Sequence, residues 1–339
     1  MPEVLMAVWE DNHITEGLEN EEKLEYTFEM PMKYRLMPYL WVRKHDPDVV
    51  HIQYLQSIIT YEKKWWTQLL LSISMFLSLL LLSISQYRIV WTAHHLSPHE
   101  ADFPIADRAV RYTLIRVADS VIVLDEAMKE VLAPIAPSGF EPEVLPLGNY
   151  RELHSDGTDV APRDNDQFTV GVVGMLRKYK RVPLAIEGYE QSSANRLIIA
   201  GNPKTNVVRK EIEKSIEQAT KTIDTRFEFI PDGELSNIVD SLDVCLVLND
   251  QQSVPASMHL AAAHRVPVVT TTGGVSEALC KRYNLGAIVD PHPNAVAKGI
   301  NDVLSGNHQP RFDEYENDHT WENYAEGHKR VYADLGLNV

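Results

Sequence analysis

Residues 168–183, FTVGVVGMLRKYKRVP, decide how the rest of the chain is read. The run 168–173 is short and β-branched, the pattern of a buried parallel strand. Gly174 ends it, and with no Cβ it lets backbone come close to a ligand. Arg177, Lys178 and Lys180 follow. Pro183 suits the first turn of a helix over LAIEGYEQ, 184–191. Strand, glycine turn, cations and helix N-terminus together describe an anion site, because amide hydrogens and the positive end of the helix dipole converge there. The same residues also read as a solvated basic turn, and the stretch alone leaves both open.

Outward from it, the second half alternates strand and helix. Strands are expected over 168–173, 196–200, 226–230, 243–248, 266–271 and 287–289, with helices between them, which is a parallel βα ladder. The first half has the same rhythm. Strands are expected over 3–9, 48–53, 88–92, 120–124 and 144–147. Helices are expected over 34–43, 106–118 and 126–132, the last capped by Asp125. The polar, aperiodic stretch 154–166 reads as a linker. The expectation is an α/β protein of two Rossmann-like domains, 1–152 and 153–312. The tail, 313–339, is read as one helix with Trp321, Tyr324, Tyr332 and Leu335 as its apolar points, crossing back to the first domain.

Of 339 residues, 48 are Asp or Glu and 32 Lys or Arg, a net charge of −16. A surface that binds phosphate backbones needs clustered positive charge, so nucleic acid is not an expected partner. The acidic surplus lies in surface-like stretches such as 16–29 and 313–326. Self-repulsion of that size is tolerable where salt screens it, which fits a halophilic source, and an ordinary acidic cytosolic protein reads the same way. Two cysteines, Cys245 in a strand and Cys280 on a helix, give neither a disulfide framework nor metal spacing. The start, MPEVLMAVWED, lacks the basic region and cleavage site of a secretory signal, so a cytoplasmic location is expected.

One stretch has three open readings. From Trp65 to Tyr87 there is no charge, and Lys63, Lys64, Trp65 and Trp66 open the run as an interfacial belt would. Thr67, Gln68, Ser72, Ser74, Ser78, Ser83 and Ser85 interrupt it. It reads as a core helix of an α/β domain, as a helix lying in the inner membrane surface, or as a span.

Seven segments in register resemble family 4 of the GT-B glycosyltransferases, in particular a polysaccharide and lipid-linked sugar subgroup. They are PDVVHIQ (47–53), VWTAHHLSPHE (90–100), GMLRKYKRVPLAIEGY (174–189), LIIAGNP (197–203), FIPDGELSNIVDSLDVCLV (229–247), VPVVTTTGGVSEAL (266–279) and GAIVDPHPNAVAKGINDVL (286–304). The resemblance implies two Rossmann-like domains facing across a cleft. It implies transfer of a hexosyl group from a nucleotide sugar, UDP- or GDP-linked, to a hydroxyl of a lipid-linked, polysaccharide or protein-glycosylation acceptor. The donor-binding set it implies is Gly174, Met175, Arg177, Lys180 and Ser257. Preorganised cations and amide hydrogens would stabilise charge developing on the leaving nucleotide, in place of a metal or any cofactor. His94 matches the family's cleft histidine and is the implied catalytic residue. His95, His99 and Glu100 complete the acceptor-side loop. Asp46-Pro47-Asp48 and Asp164-Asn165-Asp166 look like metal-binding pairs but fall in a turn and in the linker.

The sequence also departs from the family. Where many members carry a pair of glutamates, Gln252 and Leu260 stand, and a leucine cannot grip ribose hydroxyls. Only Ser257 remains of a T-S-G-S-like loop, and His264 and Arg265 replace a small residue and a glycine. Trp9, Glu10, Asp11 and Asn12 stand where relatives have a glycine-rich turn. The alternative expectation is a catalytically impaired GT-B module that partners an active transferase or binds glycans or nucleotides.

Overall fold

The computed structural model describes residues 3–7, 18, 25–27, 34, 36–55, 64–94, 104–151, 167–249 and 255–337. They form two compact units, residues 1–148 with 319–339, and residues 149–318. The chain therefore passes between units at Gly148–Asn149 and returns at Asp318–His319. The sequence reading drew these passages at 152–153 and 312–313.

The first unit contains β1 (Glu3–Ala7), β2 (Glu25–Thr27), α1 (Pro38–His45), β3 (Val49–Ile52), α2 (Trp65–Ser83), β4 (Arg88–Thr92), α3 (Pro104–Val117), β5 (Ser120–Val123), α4 (Ala127–Leu132) and β6 (Glu143–Val144). Its sheet runs β2-β1-β3-β4-β5-β6 with every pair parallel. All four β3 residues are buried, as expected of a central strand covered on both faces.

The apolar helix α2 is the crossover between β3 and β4, and these strands pair directly, Val49 to Arg88 through Ile52 to Trp91. Chain on either side of the helix thus enters the same sheet, which is the geometry of a βαβ unit and not of a membrane span. One face, including Leu71, Met75, Leu79 and Leu82, is buried. Two of the serines that interrupt the run are tied to α1 and the chain before it. Ser74 donates to the Leu36 carbonyl at 2.6 Å, and Ser78 accepts from the Tyr39 amide at 3.2 Å. The opposite face leaves Trp66, Leu70, Ile73, Leu77, Leu80 and Ile84 exposed.

The tail contains two helices where one was expected, α11 (Phe312–Asp318) and α12 (Trp321–Asp334). Thr320 breaks them: its backbone is extended and its hydroxyl accepts from the Asn323 amide at 3.0 Å, capping α12. Only α12 belongs to the first unit. Its buried face, Trp321, Tyr324, Ala325, His328, Val331 and Tyr332, follows a helical stripe. It packs closely at two glycines. A Cβ on Gly148 would lie 2.2 Å from Trp321 Cδ2, and one on Gly327 would lie 2.4 Å from Leu145 Cδ2.

The second unit contains β7 (Thr169–Val173), α5 (Val182–Glu190), β8 (Arg196–Ala200), α6 (Asn206–Glu217), β9 (Thr222–Arg226), α7 (Asp232–Asp240), β10 (Val244–Val247), α8 (Ala256–Ala263), β11 (Val268–Thr271), α9 (Gly274–Tyr283), β12 (Gly286–Val289), α10 (Pro293–Leu304) and α11. Its parallel sheet runs β12-β11-β10-β7-β8-β9. Successive residues of β7 feed opposite cores: Val170 and Val172 pack with Ile186, Tyr189 and Ile300, and Val173 with Leu242, Met258 and Tyr283. The strand expected at 226–230 is instead β9, four residues earlier. It is an edge strand pairing only with β8, so it tolerates Thr222, Asp224 and Arg226, and the apolar residues Phe227 and Ile230 lie beyond the ladder. Arg265 adopts φ +56°, the left-handed region, at the position where the family resemblance implies a glycine. Its guanidinium is paired with Asp313 and Glu316 of α11, and its charge lies over the Phe312 ring.

Candidate active site

In the second unit the order of strands reverses between β7 and β10, the first and fourth strands of that sheet. Open parallel sheets bind ligands outside the carboxyl ends of the strands at such a point. Gly174 follows β7 there with φ +84°. Its amide is already used, donating to Ala200 O at 2.9 Å, and Leu176 N donates to Asn202 O at 3.0 Å. The ladder between β7 and β8 thus extends into the turn and stiffens it. What Gly174 contributes is therefore space: a Cβ there would lie 3.3 Å from Lys180 Nζ. Gly201, after β8, is fitted against it. A Cβ on Gly201 would sit 2.1 Å from the Gly174 carbonyl oxygen.

Lys180 closes a short 3-10 turn, Lys178–Lys180, and its ammonium donates to Val173 O at 2.5 Å. Its side chain is half-buried, and among the described residues no carboxylate lies within ion-pair distance of it. Desolvation, with Arg177 beside it adding repulsion, pushes its pKa down to about 8. Arg177 is half-buried in extended backbone before the turn, and Met175 is exposed. Arg181, with φ +49°, turns the chain into α5, whose first turn holds Pro183. Ser257 is half-buried in the first turn of α8, after β10, on the other side of the reversal. Leu260, three residues further along α8, belongs to the core. Gln252 lies outside the described residues.

Sequence reasoning did not single out Gly273 and Gly274, which open α9 after β11 with φ +100° and +72°. The Gly273 amide donates to Glu277 at 2.5 Å, which helps hold that carboxyl below its ordinary range, the Lys281 contact being the larger cause. The Gly-Gly doublet at a strand end is the sequence signal for this turn.

In the first unit, His94 stands two residues past β4 and is buried. Its Nε2 is 2.7 Å from Gln53 Oε1, and its ring stacks on Tyr54 with centroids 4.2 Å apart. Gln53 Nε2 lies 3.4 Å from His51 Nε2. His51 also meets the Thr92 hydroxyl at 2.8 Å and the Tyr332 hydroxyl at 2.7 Å. Burial, with His328 and His94 nearby, holds His51 well below the usual histidine range. Burial likewise pushes His328 down to about 4, although its Nδ1 donates to the Tyr324 carbonyl. The sequence reading used His51 and Gln53 only as part of a segment. Two polar side chains spaced i, i+2 in an otherwise apolar strand were the signal that both face one buried surface. His95, His99 and Glu100 lie outside the described residues, as do residues 9–12 and 164–166.

Asp46 is structural: it accepts from the Tyr87 hydroxyl at 2.9 Å and from Gln86, and it caps α1. Among the described residues no three His, Cys, Asp or Glu side chains are grouped as metal ligands. Cys245 and Cys280 are buried thiols whose pKa values burial pushes up to about 12 and about 11.

The profile of the family described as "Glycosyl transferases group 1" matches residues 158–327. Curated proteins give no match. Among solved structures, the chain is similar to a sucrose-phosphate synthase from Thermosynechococcus elongatus, with a TM-score of 0.74, 14% identity and 99% of each chain covered. A glycosyltransferase from Rickettsia africae gives a TM-score of 0.69 at 11% identity over 100% of this chain and 99% of that one. Anabaena HepE in complex with UDP-glucose gives 0.65 at 14% identity, covering 99% and 100%. At such identities the likeness speaks for the fold alone, and that fold is GT-B.

Proposed function

The chain belongs to the glycosyl transferases group 1 family, and on that premise we propose that the second unit holds the diphosphate of a nucleotide sugar at the turn after β7. Lys180 carries this reading. The fold holds one ammonium, partly stripped of water and without a carboxylate partner among the described residues, at the strand-order reversal. A diphosphate oxygen would restore what burial removed. Arg177 is the proposed second cation, and Ser257, on α8 after the neighbouring strand β10, the proposed hydroxyl. As the sugar departs, negative charge grows on the nucleotide, and cations already fixed in place stabilise it without reorganising. Two such side chains take the part a divalent ion plays elsewhere, so transfer is expected to survive chelators. His94, in the first unit, is the proposed group facing sugar or acceptor.

The test is calorimetric titration with UDP- and GDP-sugars, then transfer assays with EDTA. Lys180→Ala and Arg177→Ala should each weaken donor binding about tenfold or more. Unchanged affinity in the double variant would overturn the site. Leu260 supports a second reading, a binding module without turnover, because its apolar side chain in the core cannot take a sugar hydroxyl. Donor binding with no hydrolysis or transfer to any acceptor would favour that reading.

The proposed acceptor is lipid-linked, at the inner membrane surface. The exposed face of α2 presents tryptophans and aliphatic residues. In sequence, residues 33–88, which include α2, carry Lys33, Arg35, Arg43, Lys44, Lys63, Lys64 and Arg88 against Asp46, Asp48 and Glu62, a cationic excess within an acidic chain. Apolar residues flanked by cations fit an anionic bilayer. Co-flotation with vesicles containing phosphatidylglycerol should occur, and Trp66→Glu with Ile73→Glu should abolish it. Flotation unaffected by the pair would exclude α2 as the contact.

A further inference from the structure

The described parts of the first unit contain a buried polar chain that packing alone does not require. His51 and Gln53 lie two apart on β3 and its continuation, and Thr92 and His94 lie two apart on β4 and its continuation. The strands are adjacent and parallel, with His51 paired to Val90 and Ile52 to Trp91. Side chains alternate along each strand, so the four share one face. α12 covers that face with Tyr332 and His328. His51, Gln53, Thr92, Tyr332 and His328 are at most 1% exposed, and His94 is 7% exposed. Aliphatic side chains would fill such a space at no cost in unpaired polar groups. Instead, every contact leads toward one histidine at the carboxyl edge of the sheet.

We infer that Gln53, His51 and Tyr332 are positioning residues that lock the His94 imidazole in its Nε2–H tautomer. The inference rests on the proposed role of His94. An amide oxygen only accepts, so at 2.7 Å from Gln53 Oε1 the His94 Nε2 carries the hydrogen and donates it. The Gln53 amide nitrogen only donates, so the His51 Nε2 it faces is an acceptor, and the Thr92 hydroxyl donates to the same nitrogen. His51 Nδ1–H then donates to the Tyr332 hydroxyl. Each link sets the next, and the orientation of one amide decides the proton position on both rings. Tyr54, stacked on His94, limits ring tilt. Both His51 and His328 stay neutral at pH 7, so the relay carries no charge that would repel an imidazolium forming on His94. The tautomer leaves Nδ1 as the ring nitrogen able to accept a proton from an approaching hydroxyl. The tail helix thus hydrogen-bonds to the relay through the Tyr332 hydroxyl.

Long-range 1H–15N spectra of the full chain with ring-labelled histidine test this, with His94 identified by the signal lost in His94→Gln. Wild type should show His94 protonated at Nε2. Gln53→Leu should give a mixture of tautomers and lower kcat about tenfold or more, with the donor KM unchanged. Gln53→Glu, which keeps an accepting oxygen, should restore the Nε2–H signal. Should Gln53→Leu fail to fold, Tyr332→Phe removes one oxygen at the far end and should loosen the His51 and His94 tautomers in turn. An Nδ1–H tautomer in wild type, or unaltered ring signals in whichever of these two variants folds, would overturn the inference. Full turnover in His94→Gln would instead overturn the role of His94 and leave the ring result standing.

Discussion

Lys180 is half-buried, and its ammonium donates to the Val173 carbonyl. Its pKa lies at about 8, against 10.5 for an ordinary lysine. Above pH 8 the Lys180 amine is increasingly neutral, and the diphosphate proposed to bind there would need it reprotonated. Donor affinity should therefore fall as pH rises past about 8, by up to about tenfold per unit, while Lys180→Met shows no such slope. Stability moves the opposite way. Between pH 8 and 10.5 the unfolded chain binds the proton that the folded chain has released, so unfolding free energy rises with pH across that window. Titration calorimetry and urea melts at stepped pH read the two slopes separately. The cations and the glycine of this turn were legible because they are contiguous: strand, Gly174, Arg177 and Lys180 occur within thirteen residues of one another. Gly201 was not, because its need for a bare α-carbon comes from the Gly174 carbonyl on a neighbouring strand. Gln53 was hidden for the same reason, its partners lying 41 residues ahead at His94 and, through His51, at Tyr332.

At the scale of elements, α12 depends on close backbone approach. Gly148→Ala would drive a methyl group into the indole of Trp321, which is buried and cannot swing into water. A loss of about 1–3 kcal/mol is expected from overpacking. Chemical denaturation of the variant, followed by Trp fluorescence, measures it, and an unchanged midpoint would mean that the helix shifts to make room. Most strands of both sheets were readable from β-branched runs because parallel strands buried on both faces have few polar residues, but β2, a three-residue edge strand in the acidic stretch 11–33, was not. β9 was misplaced because an edge strand escapes that rule. The break between α11 and α12 was missed because the apolar spacing runs on through it, while Thr320 and its cap are local chemistry. The serines of α2 read as interruptions in an apolar run, and two of them prove to be its attachment to the chain around α1.

For the whole molecule, a net charge of −16 is the dominant long-range term. Most ion pairs among the described residues are solvent-exposed, such as Arg196–Asp224 and Arg226–Glu234. Exposed pairs contribute little each, so they do not offset repulsion spread over the surface. Raising sodium chloride from about 0.1 M to about 1 M shortens the screening length from about 10 Å to about 3 Å. The melting temperature should rise across that range, and a fall would show that attractive pairs outweigh the net repulsion.

The first unit is assembled from both ends of the chain, with the second unit inserted between them. During synthesis its sheet leaves the ribosome early, but the helix that buries His51 and covers Gly148 is made only after the whole second unit. The second unit, continuous in sequence, can finish first. A protein stopped at residue 318 should yield one protease-resistant body near the size of the inserted unit and one readily digested remainder, so a late frameshift or tail clip would unsettle the surroundings of His94 from a distance while sparing the second unit.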